Sequence, residues 1–220
     1  MFAFSNQRNS TRKVEIKPPQ FLGENKLFIT DATVSKLLIQ NQEHVTEQSK
    51  DIIDLNELEE ALNSNAMIKK AEVFMSVNGE LFTEIEQKRP IARVSSEASY
   101  YIDDEGSFMP LSNNFTARVP LVTGNINKNK LNTVFQFAKA VDEDEFLKKY
   151  VIEIRQNNDN TIDFKIRKSD FIVHVGTLEK LGKKINNFKA FYQKAYKDKI
   201  LNSYSRVSLK FDKQVICTKK

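Results

Sequence analysis

The 220-residue sequence predicts an α+β chain, a β-α-α-β-β module followed by a mainly antiparallel β domain with amphipathic helices. Three observations point there. Apolar residues alternate with period two on both sides of Asn78-Gly79, the pattern of a half-buried hairpin. Two short stretches with capping residues and one apolar face precede that hairpin. Beyond residue 150, three alternating runs are followed by apolar residues recurring every three to four positions from Leu178 to Tyr196.

The elements follow in order. Residues 1–13 are polar and are expected to be flexible. Val14 and Ile16 alternate with Glu15 and Lys17 as a strand, which Pro18-Pro19 interrupts or confines to an edge. Thr30 reads as the N-cap of a helix presenting Val34, Leu37 and Leu38. Asp54, with Glu57 three residues on, resembles a capping box for a second helix with Leu55, Leu58, Leu62 and Ala61 on its inner stripe, ended by Asn63-Ser64-Asn65. Ala71, Val73, Met75 and Val77 alternate as a strand, Asn78-Gly79 turns with both positions expected at φ > 0, and Leu81–Glu86 returns. Pro90 marks the exit. These boundaries give a first domain at 14–92 and a β domain at 93–220.

In the second part, Tyr100-Tyr101-Ile102 leads into an Asp103–Gly106 turn and Phe108-Met109-Pro110. Residues 128–149 are expected to be helical through Leu131, Val134, Phe135, Ala138 and Val141, with Phe146-Leu147 following. Strands are expected at Val151–Ile154, Ile162–Ile166 and Phe171–Val175 as an antiparallel meander. A long helix follows, with Lys180, Lys183, Lys184 and Lys194 off its apolar stripe. Val207, Leu209 and Phe211 alternate, Asp212-Lys213-Gln214 bends, and Val215-Ile216-Cys217 closes the chain.

Composition excludes several classes. Hydrophobic residues make up 40% with 16 Phe, a globular rather than disordered composition. The net charge of +5 is uneven, because Lys180–Lys220 alone carries 12 Lys/Arg against 2 Asp/Glu. That basic end suits nucleic acid, through Lys183, Lys184 and Lys189, or anionic lipid; equally it solvates the outer face of a packed helix. Cys217 is the single cysteine, so no internal disulfide forms, and His44 and His174 stand in no metal-ligand spacing. No run of about 20 apolar residues spans a membrane. No phosphate loop, nucleophile elbow or zinc-protease motif occurs. Asp142-Glu143-Asp144-Glu145 lacks the alternation and glycine of a calcium loop and reads as a helix break with acids at the next N-terminus. A non-catalytic binding module without cofactors, metal or small-molecule substrate remains, with the terminal strand as a candidate edge for a partner's strand.

Three stretches carry a resemblance. Ile53–Glu59, Met67–Val73 and Gln87–Arg93 supply a helix, a strand with Ile68-x-x-Ala71-x-Val73, and a basic residue before Pro90-Ile91-Ala92. Tyr101–Gly106 and Arg118–Gly124 supply an Asp-x-x-Gly turn and a Pro-x-x-x-Gly segment. Tyr204–Val215 supplies a terminal Tyr-x-x-Val-x-Leu-Lys-Phe-x-x-Gln strand pair. In order and spacing these resemble the FtsQ/DivIB family of cell-division proteins, with a POTRA-like first module. Pro110-Leu111-Ser112 and Gln214-Val215-Ile216-Cys217 look like its Bacteroidota branch. The resemblance implies a single-pass inner-membrane protein whose anchor is missing from this chain, with this portion in the periplasm. It implies a divisome scaffold that bridges early and late division proteins and regulates septal peptidoglycan synthesis. The implied partners are FtsB and FtsL, with an FtsW/FtsI-type synthase complex beyond them, and no nucleic acid. Carried over, the partner-binding positions are Phe211, Lys213, Gln214, Val215, Ile216 and Cys217. One departure is that the chain stops at Lys220, without the aromatic tail that some relatives use in that contact. The alternative is a POTRA-containing factor for outer-membrane protein assembly or secretion.

Overall fold

The computed structural model describes residues 14–23, 28–41, 53–95, 98–128, 130–211 and 214–220. The expectations placed on residues 1–13, His44, Asp212 and Lys213 fall outside them. The chain divides into two compact units, Met1–Arg89 with Met109–Thr116 and Pro90–Phe108 with Ala117–Lys220.

The first unit has the β-α-α-β-β order. Strands β1 (Glu15–Ile16) and β2 (Gln20–Leu22) flank Pro18-Pro19, which lacks the amides to continue one ladder, and both run parallel to β4 (Glu80–Gln87). Strand β3 (Ile68–Met75) pairs antiparallel with the other side of β4. Helices α1 (Asp31–Asn41) and α2 (Leu55–Asn63) share a core with the sheet, where Val34, Leu38, Leu58 and Leu62 cluster with Ala71, Val73, Leu81 and Ile85. Asp54 caps α2 by accepting from the Asn56 and Glu57 amides at 2.9 and 3.3 Å. Met109–Thr116 belongs to this unit: Ser112 Oγ and Asn114 Nδ2 donate to the Phe28 carbonyl at 2.5 and 3.3 Å, and Phe115 sets an edge on the Phe28 ring.

The β3–β4 turn differs from the sequence expectation. Only Gly79 is left-handed, at φ +88°, and Val77 is in the loop, 78% exposed, rather than on the strand. Ser76 and Glu80 close a three-residue loop through Ser76 N–H to Glu80 O at 2.9 Å, with the Gly79 amide donating to Ser76 O at 3.1 Å. A glycine at the third position does here what two left-handed residues do in the tighter turn.

The second unit is built on a sheet ordered β13-β12-β11-β10-β9-β8-β5-β6-β7 among the described residues. Its strands are β5 (Pro90–Val94), β6 (Tyr100–Asp103), β7 (Phe108–Pro110), β8 (Leu121–Gly124), β9 (Val151–Gln156), β10 (Ile162–Ile166), β11 (Ile172–Gly176), β12 (Tyr204–Ser208) and β13 (Ile216–Lys219). The expected meander is β9-β10-β11. The sheet as a whole is mixed: β8 runs parallel to both β5 and β9, and β12 runs parallel to β11. Parallel pairing of β11 and β12 requires a crossover, and helix α5 (Leu181–Lys197) is that crossover.

The expected helix over 128–149 is two helices, α3 (Asn132–Glu143) and α4 (Glu145–Tyr150). Asp144 breaks them and caps α4, accepting from the Leu147 amide at 3.0 Å, so the acidic run does mark a helix break. Phe137, Phe164 and Phe188 bind α3, β10 and α5 into one core, with ring centroids 5.5 and 5.1 Å apart. Each buried Phe contributes about 1.5–3 kcal/mol of apolar transfer.

Candidate functional site

The C-terminal end of the second sheet gathers most of the sequence-predicted site. In the β12–β13 pair, Ser208 faces Ile216, Val207 faces Cys217 and Arg206 faces Thr218. Alternation places Val207 and Cys217 on one face, and Val207 is buried in the core to which Cys217 and Val215 are packed. Ser205 Oγ donates to the Thr218 and Lys219 carbonyls at 3.3 and 3.2 Å, and the Lys220 amide donates to Ser203 O at 2.9 Å, fastening β13 along its length. No strand lies beyond β13 among the described residues, so it forms one edge of the sheet.

Beside that edge runs a groove of about 480 Å³ between α5 and the terminal strands. Phe191, Ala195, Ile200, Tyr204, Val215 and Cys217 give it an apolar lining. Lys194, Asp198 and Gln214 also line it, the first two pairing at 3.4 Å. Phe191 and Tyr204 hold edge-on contact with centroids 5.6 Å apart, which fixes one wall. Burial pushes the Cys217 thiol above its ordinary value, so at neutral pH it is an apolar lining group rather than a nucleophile.

The structure brings Gln214, Val215 and Cys217 together in this groove. Ile216 is on the opposite face of β13, 43% exposed, and Phe211 is 46% exposed beyond the end of β12; neither lines the groove. Sequence reasoning missed the helix wall. Phe191 and Ala195 belong to the apolar recurrence from Leu178 to Tyr196, and periodicity alone does not say that part of such a stripe also borders a groove.

The other face of the sheet near this end carries a polar row. Arg155, Asp163, His174 and Ser208 follow one another across β9, β10, β11 and β12. His174 Nδ1 is 2.5 Å from Asp163 Oδ1, and Arg206 reaches Asp163 Oδ2 at 3.8 Å. His174 is thus a cross-strand partner of a carboxylate. Of the three lysines named for nucleic acid, Lys184 is buried and Lys189 pairs with Asp144, which takes two out of any exposed phosphate-binding surface. The placement of Lys184 off the apolar stripe is therefore corrected: its stem is in the core and its ammonium is held by backbone carbonyls.

A family model described as FtsQ/DivIB, C-terminal related, matches residues 89–218. The chain belongs to that family. A second model, described as a POTRA-like domain, matches residues 13–86, over the β-α-α-β-β unit. Comparison with curated proteins returns no match. Membership of the FtsQ/DivIB-related family points to a role in cell division, and the family is in general non-catalytic. Among the described residues no helix is long and apolar enough to cross a membrane.

Proposed function

We propose that this FtsQ/DivIB-related chain is the periplasmic part of a divisome scaffold of the Bacteroidota type, anchored in the inner membrane by a segment outside this sequence. It binds FtsB and FtsL, bridges early and late division proteins including an FtsW/FtsI-type synthase, and regulates septal peptidoglycan synthesis without catalysing a reaction. The observation that carries the reading is the position of β13, a terminal strand at the end of the family-matched sheet with an apolar groove alongside. An edge strand offers main-chain hydrogen bonds to an added strand, and a neighbouring groove takes alternate side chains of that strand. Phe211, Lys213, Gln214, Val215, Ile216 and Cys217 are the proposed contact positions.

The test is a titration of the purified chain with the FtsB–FtsL ectodomain complex. Binding is expected, with Phe211→Ala and Val215→Glu each weakening it at least tenfold, or about 1.4 kcal/mol. Unchanged binding by the double variant would overturn the terminal-edge reading.

A further inference from the structure

An edge strand leaves a row of main-chain donors and acceptors unpaired, and proteins either cover that row or use it. In the first unit β3 is such a strand, since among the described residues β4 is its one neighbour in the sheet. With eight residues it is as long as β4. It is therefore the best template for strand addition that this unit could offer.

Its edge is occupied by side chains of α2. Asn63 Oδ1 accepts from the Ala71 amide at 2.8 Å, and Asn63 Nδ2 donates to the Ala71 carbonyl at 3.3 Å. Glu59 Oε2 accepts from the Val73 amide at 3.2 Å. The Asn63 carboxamide thus reproduces the two bonds that one residue of an added antiparallel strand would make to Ala71 through its own N–H and C=O. Spacing explains the fit. Residues 59 and 63 are one helical turn apart, about 6 Å along the helix axis, and residues 71 and 73 are separated by about 6.8 Å along a strand. Asn63 meets the earlier strand residue and Glu59 the later one, so α2 runs antiparallel to β3. The linker fixes this alignment, with Asn65 O accepting from the Ile68 amide at 2.9 Å and Asn65 Oδ1 from the Met67 amide at 2.9 Å.

We infer that Glu59 and Asn63 seal the β3 edge, so that the first unit is closed to partner recruitment by strand addition on its longest free strand. The seal is made of two solvent-accessible side chains rather than a further strand, and two substitutions open it. The inference is independent of the terminal-edge proposal, because it concerns the other unit.

The test uses the full chain and two readouts. Amide exchange at Ala71 and Val73 is expected to speed up at least tenfold in Glu59→Ala/Asn63→Ala, with the Leu81 and Ile85 amides of the core strand unchanged. A synthetic peptide copying Glu80–Gln87, the sequence that pairs with the opposite edge of β3, is expected to bind the double variant at least tenfold more tightly than the original chain. Glu59→Gln/Asn63→Asp keeps both acceptors and is expected to retain protection of both amides, which separates loss of the seal from loss of the fold. Exchange at Ala71 and Val73 unchanged in the double alanine variant, or equal peptide binding by the original chain, would overturn the inference.

Discussion

The ammonium of Lys184 donates to the Val175 carbonyl at 3.1 Å from a side chain that is 3% exposed, and to the Thr177 carbonyl at 2.7 Å. Strand β11 ends at Gly176, so both carbonyls belong to the point where the chain leaves the sheet and turns toward α5. Lys184→Met keeps the apolar stem and withdraws both donors. It is expected to lower stability by about 1–3 kcal/mol, the cost of withdrawing the donor from the carbonyl of buried Val175. Urea unfolding with an unchanged m-value would register this as a lower midpoint.

Asp144 ties the α3–α4 break to α5 through Lys189. Burial would raise its carboxyl, but the bonds from Lys189 and from the Leu147 and Phe146 amides outweigh burial and hold it below the usual carboxylate range. A depressed folded-state value means that the stabilisation is present above the unfolded value, near pH 4, and fades as pH falls through the folded one. Asp144→Ala is expected to cost about 1–2 kcal/mol at pH 7 through the lost cap. The gap from the original chain should narrow below about pH 4. Denaturant midpoints between pH 7 and 3 measure both quantities.

Gly124 ends β8 at φ +95°, and a Cβ there would stand 2.1 Å from the Gln156 carbonyl oxygen. That oxygen already accepts from the Asn125 amide at 2.9 Å, so it cannot withdraw without breaking the β8–β9 exit. Gly124→Ala is expected to destabilise by more than about 2 kcal/mol. Gly23→Ala, at φ +87° with open space around it, is the control and is expected to cost about 1 kcal/mol. Thermal melts of both variants decide the comparison.

Cys217 supplies a reporter for the groove. Its raised thiol value and partial burial predict slow maleimide labelling of the folded chain at pH 7, and fast labelling in denaturant. If a partner strand covers the groove, bound FtsB–FtsL is expected to slow labelling at least a further tenfold. Equal rates for free and bound chain would place the partner elsewhere.

Much of the architecture could be read from residue order, because local rules sufficed where a single element decided the outcome. Asp54 capped a helix, Pro18-Pro19 interrupted a strand, and the acidic run at 142–145 broke a helix as expected. The failures came where tertiary context decided. Lys184 was read as a solvated charge because its type dominates its position in the stripe. The strand at Leu121–Gly124 has no period-two pattern to announce it, since it is inserted between two parallel neighbours after an irregular stretch. Tyr196 continues the apolar spacing of α5 but is 68% exposed, while its neighbour Ala195 is the one buried.

The Phe28 carbonyl and ring are held by Ser112, Asn114 and Phe115, although the second unit's Pro90–Phe108 intervenes in the chain. During synthesis, the first unit cannot complete these contacts when Arg89 emerges. It must wait for about 27 more residues, at a usual rate of roughly 5–20 per second. A fragment cut at residue 89 would permanently lack what the nascent chain lacks only for seconds.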